Sequence, residues 1–220
     1  PLALWRDPEC RFFLFATAVF IVLCAGSLYG TVLDTIPGAF RYAAFQVVSI
    51  LTTTGFATAD YETWPPLTQV ILFFCMFFGG SAGSTGGGIK CLRIILLIKH
   101  GYRELMRLVH PHAVSQVKLG GRVVPADVLH SVWGFFVLYL ALFVVLSLLM
   151  AALGLDMVTA FSSVAATIGN IGPGFGAVGP AENYAGLPLA AKWLLSLSML
   201  LGRLEIYTVI VLLIPEFWRP

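Results

Sequence analysis

No Asp, Glu, Lys or Arg occurs from Phe12 to Leu33, from Thr63 to Ile89 or from Val128 to Leu155. Each stretch reaches the roughly 20 apolar residues that a helix needs to cross a bilayer. A fourth apolar stretch, Leu187 to Ile214, holds Lys192, Arg203 and Glu205 inside it. A mean hydropathy of +0.91, with 59% hydrophobic and 11% charged residues, excludes an ordinary soluble domain. The expectation is an all-α polytopic membrane protein with about four spans. The first apolar run is too long for a cleavable signal peptide and lacks a small-residue cleavage site. The chain opens at Pro1 rather than Met, and is read as a fragment of a longer protein.

Charge sets the orientation. Lys90, Arg93, Lys99, Arg103, Arg107, Lys118 and Arg122 fall between the second and third spans, with Glu104 opposing them. Such an excess marks a cytoplasmic loop. Both ends then lie on the same side, in agreement with Arg6, Arg11 and Arg219. The other side carries Asp34, Asp60, Glu62, Asp156 and Glu182, against Arg41 and Lys192. An acidic outer mouth concentrates cations, although solvated loop charges have the same composition. Cys10, Cys24, Cys75 and Cys91 are far apart and form no CxxC pair, so neither a metal site nor a disulfide framework is suggested. His110-Pro-His112 reads as solvated loop rather than a metal site. "KLGGRVVP" in the same basic region reads as a hairpin-like turn, and its surroundings as a surface that meets anionic lipid.

Two segments are too polar at their ends to be full spans. Tyr42 to Ala59 is uncharged but ends in threonines and glycine, and "MVTAFSSVAATIGNIGPGFG" has the same character. A helix that enters part-way and returns as an extended loop fits both. Aligned without gaps, Ser49, Thr53 and Gly55 fall on Ser163, Thr167 and Gly169. Pro65 precedes Gly79 by the same interval as Pro188 precedes Gly202. The unit is span, half-helix, Thr-x-Gly loop, span; it occurs twice, in the same orientation. Its half-helix aims the partly negative C-terminal end at the bilayer centre. Irregular backbone at that depth survives where it lines a cavity holding water or ions, and rings of carbonyls replace a cation's hydration shell. The candidate ion-binding residues are Thr53, Thr54, Gly55 and Phe56, with Thr167, Ile168, Gly169 and Asn170.

The second span is interrupted by "GGSAGSTGGG", Gly79 to Gly88, in which six of ten residues are glycine. Each interior glycine costs roughly 1 kcal/mol in a helix relative to alanine, so the span breaks. Gly83 to Gly88 has the glycine spacing of a phosphate loop, but Ile89 stands where the lysine belongs. Gly79 to Gly83 matches GxSxG, yet no histidine sits at membrane depth to serve as base. Gly174 to Gly179 matches GxGxxG with no preceding strand. What remains is either a static kink or a pore-lining, movable obstruction made of Gly79, Gly80, Ser81, Gly83, Ser84, Thr85, Gly86, Gly87 and Gly88. Arg203 aligns with Gly80 and should face this loop, since an intramembrane arginine seeks a cavity or a partner. A carboxylate outside this chain is the competing partner. Glu205, two residues on, points to a different helix face.

"SILTTTGFATADYETWP", "FFGGSAGSTGGGIK", "TIGNIGPGFG" and "MLLGRLEIYTVIVLL" resemble the C-terminal half of a Trk-type potassium uptake protein, in the Trk/Ktr/plant high-affinity potassium transporter superfamily. The resemblance covers essentially the whole chain. It implies four channel-like repeats around a pseudo-fourfold pore, of which this chain supplies two. The first is 1–110, with a span at about 11–32, a pore helix at 37–51, a filter at 52–57, and a broken span at 65–110 carrying the gate loop 79–88. A cytoplasmic connection, 111–127, follows. The second is 128–220, with a span at about 128–152, a pore helix at 156–166, a filter at 167–172 and a span at 187–215. It implies potassium uptake across the bacterial inner membrane, no enzyme activity and no covalent cofactor, with potassium the transported ligand. Implied partners are the N-terminal half of the same protein, a second copy, a cytoplasmic nucleotide-binding regulatory subunit of the RCK type, and lipid, but no nucleic acid. A secondary solute carrier with broken helices is the alternative.

Overall fold

The computed structural model describes residues 7–110, 116–212 and 214–218, so Arg6, His112 and Arg219 lie outside the described residues. In chain order the elements are α1 (Pro8–Leu28), α2 (Ile36–Leu51), α3 (Pro66–Cys75) and α4 (Cys91–Val109). A short hairpin, β1 (Lys118–Leu119) and β2 (Arg122–Val123), leads to α5 (Ala126–Ala152), α6 (Met157–Ile168), α7 (Leu189–Arg203) and α8 (Ile206–Leu212). The strands pair antiparallel around Gly120-Gly121, the turn expected from "KLGGRVVP".

Among the described residues two helices, α1 and α5, are long and apolar enough to cross a membrane. Both bury one face and leave large apolar residues open on the other: Phe15, Val22, Val137 and Leu148 are each about two-thirds exposed. That pattern suits a helix whose outer solvent is lipid rather than water. The local starts are legible. Asp7 caps α1 through the Cys10 amide at 3.1 Å, with Pro8 at its first position. Asp156 caps α6 through the Thr159 amide at 3.1 Å. Hydrogen bonds from Thr159 hold the Asp156 carboxyl below the ordinary carboxylate range.

The two halves carry corresponding local structure. Pro65 and Pro188 have nearly the same backbone angles, and α3 and α7 each start at the next residue. A one-turn 3₁₀ helix precedes each, at Tyr61–Thr63 and Tyr184–Gly186, capped by Asp60 and Asn183. Gln69 donates to the Glu62 carbonyl at 2.6 Å, and Lys192 donates to the Ala185 carbonyl at 2.6 Å, in matching positions. The short helices α2 and α6 pack against α1 and α7, respectively, and α6 is buried almost throughout.

The fourth stretch differs from expectation. A single span over about 187–215 was expected, but α7 ends at Arg203 and α8 begins at Ile206. Glu205 adopts the left-handed φ of 53°. The interruption falls where two charges sit two residues apart in an apolar run, and it turns Glu205 out to pair with Arg93 at 2.7 Å.

Candidate functional site

The gapless alignment of the two Thr-x-Gly loops is corrected by the backbone. Thr53 and Asn170 share the left-handed φ, at 55° and 54°. Their amides each close a turn on the residue three positions back, Ile50 and Thr167. The next amides, of Thr54 and Ile171, reach Ser49 and Ala166 at 2.9 and 2.8 Å. Gly55 and Gly172 follow, with φ of 76° and 114°. The structural counterpart of Thr53-Thr54-Gly55-Phe56 is therefore Asn170-Ile171-Gly172-Pro173, three residues beyond the expected match. Thr167 and Ile168 are the last helical residues of α6. Thr167 is buried, and its hydroxyl meets the Ser198 hydroxyl at 2.7 Å and the Ser163 carbonyl at 2.7 Å, so it fastens α6 to α7. Matching Thr to Thr and Gly to Gly misled the alignment, because asparagine also tolerates the left-handed position that follows a helix end.

Beyond these helix ends the two segments are irregular and touch each other. A Cβ added to Gly55 would overlap the Ile171 carbonyl oxygen. Among the described residues no donor reaches the carbonyls of Thr53, Thr54, Gly55, Asn170 or Ile171. Free carbonyls in this number, on two touching segments at the C-terminal ends of two short helices, form a surface that suits a cation. The flanking backbone is held. Ser49 donates to the Phe56 carbonyl at 2.6 Å. Tyr184 donates to the Gly172 carbonyl at 2.5 Å, and the fully buried Tyr61 donates to the Gly174 carbonyl at 2.8 Å. Glu62 accepts from the Gly176 amide. Tyr61 and Glu62 thus tie the first half to the second segment. Sequence reasoning placed Glu62 in the acidic mouth and passed over Tyr61; a Tyr-Glu pair directly after a Thr-x-Gly loop was the available signal.

Helix α3 stops at Cys75, and the glycine-rich loop begins within four residues of that end. Its base is zipped: the Gly79 amide donates to the Ile89 carbonyl at 2.7 Å, and the Cys91 amide to the Gly80 carbonyl at 3.1 Å. Its inner side seats against the carbonyl segments. A Cβ on Gly87 would overlap the Gly169 carbonyl, and one on Gly86 would lie 3.2 Å from the Thr53 hydroxyl. Gly202 plays the same part on α7, where a Cβ would overlap the Ile168 carbonyl. Ser81, Ala82, Gly83 and Thr85 form the exposed tip.

Three charged side chains hold the loop. Arg203 donates to the Thr85 carbonyl. Lys90, buried at 8% exposure, donates to the carbonyls of Ser84 and Gly86 at 2.7 and 2.6 Å. Glu9 of α1 accepts from the Ala82 amide at 2.6 Å and the Leu92 amide at 3.2 Å. Lys90 and Glu9 were missed as loop anchors. Lys90 entered the sequence argument only as a misplaced phosphate-loop lysine and a topogenic charge, yet a lysine abutting six glycines was a visible sign. Glu9 gave none, since it lies far away along the chain.

Comparison with known proteins agrees with this architecture. The family model described as "TrkH: Cation transport protein" matches residues 1–219. The Trk system potassium uptake protein TrkH of Halomonas elongata is 49% identical over 216 residues, covering 98% of this chain and 44% of that protein. The Escherichia coli K12 protein of the same name is 48% identical over 220 residues, again 44% of its length. The crystal structure of the potassium transporter TrkH from Vibrio parahaemolyticus superimposes with a TM-score of 0.92 at 47% identity, over 100% of this chain and 47% of that one. The chain thus spans somewhat under half the length of these relatives, and by its family model, its identity and its fold it belongs to the TrkH family of cation transport proteins.

Proposed function

We propose that this chain supplies two quarters of a potassium-conducting pore in the bacterial inner membrane. Thr53 to Phe56 and Asn170 to Pro173 form its share of the selectivity filter. The loop 79–88, with Arg203, forms the gate beneath it. The observation that carries this reading is the contact between two segments whose carbonyls accept no hydrogen bond among the described residues, at Gly55 and Ile171, with Gly86 and Gly87 packed beside Thr53 and Asn170. The relatives' names supply the ion. A cation leaving the filter toward the loop meets Arg203 and Lys90, two positive charges in surroundings that screen poorly. In this seated position the loop blocks sterically and the charges oppose passage. Conduction then requires the loop to withdraw, and its glycine content makes that motion cheap.

The remaining quarters come from the N-terminal half of the same protein, and a second copy completes a homodimer. The cytoplasmic side is the one bearing Lys99, Arg103, Arg107 and the 118–123 hairpin, together with both chain ends. A nucleotide-binding regulatory ring of the RCK type docks there, and flanking basic residues meet anionic lipid. The test uses the full-length parent chain in liposomes, with potassium, rubidium and sodium flux measured with and without residues 79–88. Selective flux that rises on deletion is the expected result. Selective flux untouched by deletion would leave the pore and remove the gate. No monovalent cation flux from folded protein would overturn the pore itself.

A further inference from the structure

Against the glycine-rich loop, between it and helix α5, lies a cavity of about 230 Å³. Its wall includes Lys90, Arg93, Arg203 and Glu205, so three cations face one carboxylate. Its floor is Phe135 and Tyr139 of α5. Tyr139 is 2% exposed, and its hydroxyl has no hydrogen-bond partner among the described residues. The hydroxyl oxygen is also closed off from solvent, so Tyr139 lines the floor without offering a donor to the cavity's contents. The Lys90 ammonium meets carbonyls and no carboxylate within ion-pair distance among the described residues. Arg93 lies over the Phe135 ring at 3.9 Å and gives Glu205 one bond, at 2.7 Å, leaving guanidinium donors over. Arg93 and Glu205 are 21% and 49% exposed, so they form the side of the cavity open to solvent.

We propose that this cavity is a binding site for a small inorganic oxyanion of the phosphate or sulfate class. Guanidinium forks offer several directed donors to tetrahedral oxygens, which a spherical halide cannot use fully. The anion compensates the excess positive charge of Lys90, Arg93 and Arg203. Glu205 acts against it, holding Arg93 and repelling the incoming charge. The site stands apart from the gate reading; its consequence rests on it. An occupied site lowers the positive potential that a cation meets beneath the filter, so the oxyanion should favour conduction.

Binding is measured without reference to flux, on the full-length parent protein purified in gluconate. Sodium sulfate is titrated against sodium gluconate at constant ionic strength by calorimetry. Crystals soaked in selenate report the position by anomalous scattering. The expected result is saturable binding, with selenate in the cavity. Arg93→Met, which removes the guanidinium and keeps an apolar side chain over Phe135, should weaken sulfate binding roughly tenfold. Glu205→Gln should strengthen it severalfold, a gain that misfolding does not produce. No saturable binding, or affinities that neither variant moves, would overturn the site. Bromide binding as tightly as sulfate would overturn the oxyanion assignment. Displacement of sulfate by short-chain phosphatidylglycerol at lower concentration would make a lipid phosphate the ligand and overturn the soluble anion. Sulfate that binds but leaves flux unchanged would count against the coupling to the gate alone.

Discussion

Gly87 sets how closely the loop approaches the Gly169–Asn170 backbone, because any side chain there meets the Gly169 carbonyl. Gly83, four residues earlier at the exposed tip, has nothing within 4 Å of an added Cβ. The two positions make a matched pair. Gly87→Ala should unseat the loop and raise rubidium flux severalfold, whereas Gly83→Ala should leave flux within error of the parent. Equal effects would mean that glycine content, not seating, sets the block. At Gly55 two reasons coincide, a φ of 76° and the nearby Ile171 carbonyl. Gly55→Ala should cost about 1–3 kcal/mol of local strain. Selective uptake should fall at least tenfold, with folding followed by gel filtration.

At the scale of elements, α6 is a short buried helix whose start rests on one carboxylate. Asp156→Ala should cost about 1 kcal/mol, read as a lower midpoint of thermal unfolding. The contribution of Asp156 has a defined pH sense, since its folded-state pKa is depressed. It is present above the unfolded carboxylate value of about 3.9 and is lost as pH falls through the lower folded value. A stability difference between parent and Asp156→Ala that persisted unchanged to pH 2 would exclude the cap. The loop is a second element of this kind, with Lys90 as its internal strut. Lys90→Met keeps the length of the side chain and removes both carbonyl bonds. It should loosen the loop, raising flux and lowering stability by about 1–3 kcal/mol. Unchanged flux would show that Arg203 and Glu9 hold the loop without it.

For the whole molecule, Arg203 is the residue through which the second half acts on the first. It leaves the end of α7 and reaches a carbonyl in a loop that interrupts the span after α3. In the full-length protein, Arg203→Ala should raise cation flux, and the rise should shrink once residues 79–88 are also deleted. Additive effects would place the arginine's influence elsewhere. Tyr61 and Glu62 run the other way, from the first half to the Gly174–Gly176 backbone of the second. The halves are therefore joined by Tyr61 and Glu62 at one end and by Arg203 and the Arg93–Glu205 pair around the glycine-rich loop.

The chain's own residues determined a good deal. Uncharged runs fixed α1 and α5, prolines fixed where α3 and α7 begin, and six glycines fixed the break between α3 and α4. These are local effects of transfer free energy and backbone preference, so they can be read along the chain. The filter register could not be read that way. Thr167 looked like Thr53, but α6 continues through Ile168 and is fastened to Ser198 of α7. Where a helix stops depends on which neighbour takes its last side chains. The break at Leu204-Glu205 and the Arg93–Glu205 pair were hidden for a related reason, as the partner lies on α4. Loop anchoring by Glu9 is the extreme case. Composition and spacing determined that this chain spans a membrane, breaks and repeats. Only tertiary packing decided which carbonyls are left free and which charges hold the loop, because hydrogen bonds and ion pairs between distant elements have no signature in local sequence.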